Sequence, residues 1–443
     1  MKLYKHQIDA LELLKEKNHV ALYWDMGLGK TYGGSEKLFQ LGEKLNLIIC
    51  QKSKIDDWID HFESNYPDVL VYNLTEKSHL EIFLSLLIYP ANKNAVGIIN
   101  YDLVWRRKDL LNLKEFTLLL DESSLIQNET SKRSKFILKL KPKNVILLSG
   151  TPTGGKYEKL WSQMSLLGWS ISKKMFYNHY VDFHWDDSNG FPLMVIDGYK
   201  NEERLKRKMR QYGCNFIKTE EVFDLPQQID QKIRIPITSE YSTFRKNHIV
   251  TVHTKVFDHV IDYEWDGKIY GDDKELVGDT VLTQLLYERQ LCGQYNQSKL
   301  EAFKDLVEST NDRLIVFYNF TDEYQKLAKI CQELNRPFGE VNGAMKYLEP
   351  YNYKTDSITF VQYQAGAMGL NLQKANKAVY FTPPLGSELF EQSKKRIHRI
   401  GQNQPCFYYY LTCKNSVEEK IYDVLAMRKD FTDRLFEEVS HEF

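Results

Sequence analysis

The chain carries almost no net charge: 59 Lys and Arg against 60 Asp and Glu leave a formal −1 over 443 residues. Its overall field therefore cannot hold a polyanion, and any nucleic acid has to be met by local basic clusters. A Cys-x-x-Cys pair is also missing. The six cysteines, at 50, 214, 292, 331, 406 and 413, lie mostly in apolar runs. That pattern excludes a zinc site or disulfide frame and predicts buried thiols in a reducing compartment. No apolar stretch approaches the length of a membrane span. The opening MKLYKHQIDALELLKEKN is amphipathic but has no apolar signal core or small-residue cleavage site, so a cytoplasmic protein is expected. Internal repeats and low-complexity segments are absent too. Apolar and charged fractions of 42% and 27% are those of a globular chain with room for two or three domains.

What is present is a rhythm. Between residues 20 and 150 the apolar runs VALYW, LNLIICQ, DVLVYN, AVGIINY, FTLLLDE and NVILLSG alternate with helix-like segments. Near-continuous apolar strands are what a parallel sheet buried on both faces requires. The rhythm returns after residue 312 with RLIVFYNF, SITFVQYQ, KAVYFTP and CFYYYLTC, so two α/β lobes are expected. Between them the sequence turns polar and basic, as in KNEERLKRKMRQY, and reads as a helical insertion with solvated charged faces. The expected division is 1–157 for the first lobe, 158–295 for the insertion and linker, 296–415 for the second lobe and 416–443 for a C-terminal helix.

The segment YWDMGLGKTY, residues 23–32, follows a strand and opens a helix that contains two weakening glycines. As a phosphate loop it brings backbone N–H groups to phosphate oxygens through Gly27 and Gly29. Lys30 then reaches the outer phosphates and Thr31 offers a hydroxyl to Mg²⁺. As a structural turn it does none of this, and Trp24 stands where the strict phosphate-loop pattern has glycine. In LLLDESS a strand ends at Asp121 and Glu122, at the carboxyl edge where open α/β sheets bind ligands. There the first carboxylate holds Mg²⁺ through water and the second orients and deprotonates an attacking water; the alternative is a capping or solvated pair. LLSGTPTGG places Ser149 and Thr151 either as a relay between two ligands or in an ordinary turn. In EQSKKRIHRIGQ, Gln392, Arg396 and Arg399 share one face if the segment is helical. Such arginines either stabilise a phosphoryl group in flight or belong to a basic face that grips nucleic acid, a role that Lys394 and Lys395 suit better. QAGAMGLNL offers Gly366 and Gly369 as flexible points of a coupling loop.

Taken in order, LYKHQIDALELL, DMGLGKT, IICQKSKIDDWIDHF, DESS, LLSGTPTGG, LIVFYNF, AGAMGLNL and QSKKRIHRIGQ resemble the successive motifs of superfamily-two helicases. DMGLGKT with HRIGQ is similar to the Swi/Snf branch of double-stranded DNA translocases, in the minimal form of bacteria and phages. The resemblance runs from residue 3 to about 425, taking in FIKTEEVFDLP and SVEEKIYDVLAMRKD. It implies two RecA-like P-loop lobes with parallel sheets, helical insertions and a brace helix. It also implies ATP and Mg²⁺ as ligands and duplex DNA, with its bound proteins, as the partner. Residue by residue, it implies Gln7 on adenine, Lys30 and Thr31 on phosphates and Mg²⁺, and Asp121 and Glu122 on metal and water. Arg396 and Arg399 would reach the γ-phosphate from the other lobe. Lys52, Ser53, Tyr101 and the loop around Gly369 and Asn371 are expected along the DNA path, with Gly369 also expected at the nucleotide. The family does not require glycine where Trp24 stands. Departures fall at Ser124 (usually His), Gln364 (Arg), Lys395 (an acid) and Leu385 (Trp), and they bear on DNA contacts more than on hydrolysis.

The expected activity is that of a monomeric, ATP-driven motor that tracks along duplex DNA by lobe closure and opening, displacing proteins or remodelling junctions. A strand-separating DNA or RNA helicase and a nucleotide-gated clamp with little turnover are the two rivals.

Overall fold

The computed structural model of the chain describes residues 3–186, 193–255, 271–366 and 370–436. Two compact units emerge: Met1–Asp224 with Met427–Phe443, and Leu225–Ala426.

In the first unit the six expected runs are strands: β1 His19–Trp24, β2 Leu45–Cys50, β3 Leu70–Asn73, β4 Ala95–Asn100, β5 Phe116–Asp121 and β6 Asn144–Leu148. Side-chain alternation along them feeds two cores. Tyr23, Leu47 and Leu120 point into one, while Leu22, Ile48 and Leu119 point into the other. Burial on both faces is the reason these runs carry so few polar residues. After a separate antiparallel hairpin, β7 Val181–Asp186 with β8 Leu193–Tyr199, strand β9 Cys214–Ile217 joins the same sheet. The sheet order is β3-β4-β2-β5-β6-β1-β9, and its pairings are parallel.

The second unit adds β10 Gln228–Ile235, the antiparallel hairpin β11 Ile249–Lys255 and β12 Gly271–Val277, then β13 Leu314–Tyr318, β14 Phe338–Val341, β15 Lys346–Tyr347, β16 Ile358–Gln362, β17 Lys377–Tyr380 and β18 Cys406–Cys413. Its main sheet runs β10-β18-β17-β13-β16-β14-β15, parallel except for the terminal β14–β15 pair. Among the described residues no helix is long and apolar enough to cross a membrane.

Two sequence expectations change here. Residues 158–295, expected as a helical insertion, have mixed secondary structure, with β9 and β10 incorporated into the two main sheets. β10, QIDQKIRI, alternates polar and apolar because an edge strand buries only one face, which hid it from a search for continuous apolar runs. The C-terminal helix is Val417–Phe436, and its residues from 427 onward belong with the first unit.

Candidate functional site

The order of the first sheet places β6 between β1 and β5, so three of the motifs leave neighbouring strands at one carboxyl edge. After β1 the chain turns through Gly27 (φ 89°) and Gly29 (φ 72°), both in the left-handed region that glycine adopts without strain. Nothing lies within 4 Å of where a Cβ on Gly27 would be, so the loop backbone is open to approach there. Gly29 caps the 12-residue helix Lys30–Leu41. A Cβ on Gly29 would lie 2.3 Å from Nε2 of Gln7. That amide donates to the carbonyls of Leu28 and Gly29 at 3.1 and 3.2 Å, while Gln7 Oε1 accepts from the Tyr4 N–H at 2.9 Å. Gln7, expected on adenine, here pins the helix Lys5–Leu13 against the loop. Lys30 Nζ donates to the carbonyls of Trp24 and Asp25 at 2.9 and 3.2 Å, and a Cβ on Gly150 would come within 3.4 Å of it. The ammonium therefore sits beside the end of β6. Thr31 follows it in the first turn of the helix.

Trp24 is fully buried and donates through Nε1 to Asn215 Oδ1 of β9 at 2.6 Å. Its ring explains a helix that propensity alone disfavours: a Cβ on Gly33 would lie 2.6 Å from the indole, and one on Gly34 would lie 3.0 Å from Leu148. Asp25, the next residue, is 7% exposed and accepts from the N–H and hydroxyl of Thr219 at 3.2 and 3.3 Å. The FIKTEEVFDLP segment thereby holds, from outside, the loop that carries Gly27 and Gly29.

At the end of β5, Asp121 Oδ2 accepts from the Trp58 indole N–H at 2.9 Å. Burial raises the Asp121 carboxyl above its ordinary range, against the lowering influence of Trp58, Lys30 and Lys54. Glu122 follows at φ 54°, ψ 58°, a left-handed conformation that costs a non-glycine residue about 1–3 kcal/mol. Tyr101, expected along the DNA path, is instead 2% exposed; its hydroxyl donates to the Asp121 carbonyl at 2.9 Å and braces this turn. Ser123 and Tyr23 both donate to Gln163 Oε1, at 2.8 and 3.0 Å, and Gln163 Nε2 donates to the Pro152 carbonyl at 2.7 Å. One fully buried amide therefore joins β1, the carboxylate turn and the SGTP loop. Within that loop the Thr151 N–H donates to Ser149 Oγ at 3.2 Å, and Ser124 is buried. An open glycine backbone at a helix N-terminus, an ammonium and a desolvated carboxylate form a donor set that fits a polyphosphate with Mg²⁺.

In the second unit the expected helical face is absent. The helix is Ser387–Lys394; past it the Arg396 N–H turns to the Ser393 carbonyl at 3.2 Å, and the Arg396 carbonyl accepts from the Leu372 N–H at 3.1 Å. Gln392, on the helix, thus shares no helical face with Arg396 and Arg399, which lie in the turns beyond. Arg396 is 1% exposed. Arg399 Nη1 donates to Asn371 Oδ1, and burial lowers the guanidinium below its ordinary value. Lys394, expected to suit a nucleic-acid grip, is 8% exposed, 4.9 Å from the Tyr408 ring centroid and 3.2 Å from Asp230. Its ammonium serves the core of this unit. Lys52 and Ser53 are exposed on a short turn after β2, and Leu385 is 47% exposed. Gly369 lies outside the described residues.

Gln163, Trp58 and Thr219 organise the first site, and none stood out as a candidate. Trp58 and Thr219 lie inside segments already noted, but a single indole or hydroxyl reveals its partner only once the chain is folded. Gln163 sits in an unremarked helical turn with no periodic signal at all.

The family model described as "SNF2-related domain" matches residues 6–297, and that described as "Helicase conserved C-terminal domain" matches residues 298–401. The chain is 23% identical over 441 residues to the mouse (Mus musculus) SWI/SNF-related matrix-associated actin-dependent regulator of chromatin subfamily A member 1, covering 90% of this chain and 40% of that protein. It is 23% identical over 471 residues to the putative ATP-dependent helicase/translocase YwqA of Bacillus subtilis (strain 168), covering 98% of this chain and 48% of that protein. The chain thus spans less than half the length of these relatives. Among solved structures, the Sulfolobus solfataricus SWI2/SNF2 ATPase core in complex with dsDNA aligns with a TM-score of 0.44 and 20% identity, over 98% of this chain and 92% of that one.

Proposed function

The chain belongs to the SNF2-related family, and on that premise we propose that it is an ATP-hydrolysing motor that tracks along duplex DNA and remodels protein–DNA complexes or junctions. The observation that carries this reading is the delivery of Lys30, Asp121 with Glu122, and Ser149 with Gly150 to one sheet edge by three adjacent strands. Lys30 would leave its two loop carbonyls to pair with the outer phosphates. The left-handed turn at Glu122 would aim its carboxylate at an attacking water and accept its proton. Mg²⁺, when bound through Thr31 and Asp121, supplies neutralising charge at the phosphates. Arg396 and Arg399 would stabilise charge on the γ-phosphate. Conformational work requires ATP to bind one state of the protein better than another, because only differential affinity shifts an equilibrium. With a net charge of −1, the grip on DNA would be local, phosphate-directed and salt-sensitive.

The test is steady-state ATP hydrolysis without nucleic acid and with duplex DNA, single-stranded DNA or RNA, at two salt concentrations. Duplex DNA is expected to activate strongly and less so at higher salt. Glu122→Gln should lower turnover by roughly 10²-fold or more, and Arg399→Ala by about 10³-fold. Activation by single strands or RNA alone would transfer the assignment to a strand-separating helicase, and no activation by any polymer would transfer it to a clamp.

A further inference from the structure

The second unit holds a polar cavity apart from every residue assigned above. Lys232 and Arg234 of β10, Thr412 of β18, and Glu419, Tyr422 and Asp423 of the helix Val417–Phe436 line about 230 Å³. Parallel pairing sets Arg234 opposite Thr412. Ile235 turns into the core on one side of the strand, so Lys232 and Arg234 face the other, where Tyr422 packs edge-on to Tyr410. On that face the two cations are met by Glu419, Tyr422 and Asp423 of the helix.

Two features mark the cavity as a site for a ligand. Thr412 is 4% exposed and Tyr422 is 8% exposed, yet among the described residues neither hydroxyl has a hydrogen-bond partner. A buried hydroxyl left without a partner costs about 1–3 kcal/mol, and here two of them line one cavity. Lys232 also has no ion pair among the described residues. Of the two carboxylates, Glu419 is already engaged: it accepts from the Asn415 N–H at 2.8 Å and lies 3.9 Å from Arg234 Nε. Asp423 stands exposed at the rim. The remaining groups are thus mostly donors, with one acceptor beside them. Burial holds the Tyr422 phenol well above its ordinary range, so it keeps its proton and donates.

We propose that this cavity binds a small phosphate monoester that carries sugar hydroxyls. Lys232, Arg234, Thr412 and Tyr422 donate to the phosphate oxygens, and Asp423 accepts from a sugar hydroxyl. The volume falls below the ~300 Å³ at which pockets for larger ligands begin, which suits a sugar phosphate rather than a dinucleotide. An internal DNA phosphodiester fits less well: it carries one charge, has no free sugar hydroxyl beside it, and would bring further phosphates toward Asp423 and Glu419.

Ribose 5-phosphate and inorganic phosphate, titrated calorimetrically into the full chain carrying Lys30→Ala to silence the first phosphate site, provide the test. Saturable binding of ribose 5-phosphate is expected. Lys232→Met should weaken it about tenfold, and Thr412→Val or Tyr422→Phe about threefold to tenfold each. Asp423→Asn, an exposed change that leaves the fold intact, should weaken ribose 5-phosphate but not inorganic phosphate. The proposal fails if neither phosphate binds saturably up to about 10 mM, or if binding persists unchanged in Lys232→Met and Tyr422→Phe. It also fails if duplex DNA displaces ribose 5-phosphate in a Lys232-dependent way, since the cavity would then be a contact for DNA backbone.

Discussion

Trp24 and Gly33 form a matched pair in which one residue's bulk occupies the other's missing side chain. Replacing glycine by alanine within a helix ordinarily gains about 1 kcal/mol. Here the new methyl would meet a fully buried indole at 2.6 Å, and overpacking of that kind costs about 1–3 kcal/mol. The clash should outweigh the propensity, so Gly33→Ala is expected to lower the urea midpoint, and Trp24→Phe in the same chain should recover part of the loss. A gain in stability from Gly33→Ala alone would show that the loop yields. The tryptophan at the strict glycine position was legible in the sequence as a departure. Its compensation nine residues later was not, because that depends on the direction in which an indole packs. Tyr101 teaches the same lesson in reverse: a tyrosine at the end of β4 suits either an open nucleic-acid path or a buried brace, and only its position against the Asp121 carbonyl separates the two.

At the scale of elements, the apolar runs were legible, the edge strand β3 among them, but the edge strands β9 and β10 were not. β1, β5 and β13 announce themselves as unbroken apolar runs, whereas β9 and β10 are short or alternating and gain their identity from the neighbour they pair with. The helix Ser387–Lys394 misled for a related reason. Its sequence continues with helical spacing to Arg399, but the Arg396 carbonyl is drawn to Leu372. Another element makes a sharper claim. Gly155, at φ 74°, lets the SGTPTGG loop meet the C-terminal helix so closely that a Cβ would lie 2.3 Å from the Arg428 carbonyl oxygen. The ion pairs Arg434–Glu202 and Lys218–Asp433, at 3.1 and 3.4 Å, are partly exposed and contribute about 0–1 kcal/mol each. They are too weak to hold the helix if the close approach is lost. Gly155→Ala is therefore expected to accelerate amide hydrogen exchange at residues 427–434 about tenfold or more, while Arg434→Ala changes it little. Equal effects from the two variants would place the anchorage in the ion pairs.

For the molecule as a whole, stability should carry a pH signature from the second unit. Glu323 is fully buried and accepts from the N–H groups of Asn319 and Phe320 and from the Thr382 hydroxyl. Burial raises its carboxyl from 4.5 to about 7, the hydrogen bonds offsetting only part of the shift. Between those values the folded chain keeps a proton that the unfolded chain has released, so stability falls as pH rises through the window, by about 3 kcal/mol from this group. Glu323→Gln should flatten that fall in denaturant unfolding measured from pH 5 to 8. An unchanged slope would mean that the carboxylate is accommodated without penalty.

The division of the chain also bears on how the protein is made. The first unit is discontinuous: roughly 200 residues separate Asp224 from Met427. At ~5–20 residues per second, a ribosome needs on the order of ten to forty seconds to supply them. For that interval the nascent first lobe can close its sheet through β9, while the face beside Gly155 waits for a helix not yet synthesised. A chaperone that recognises nascent chains would meet this lobe with that face still bare.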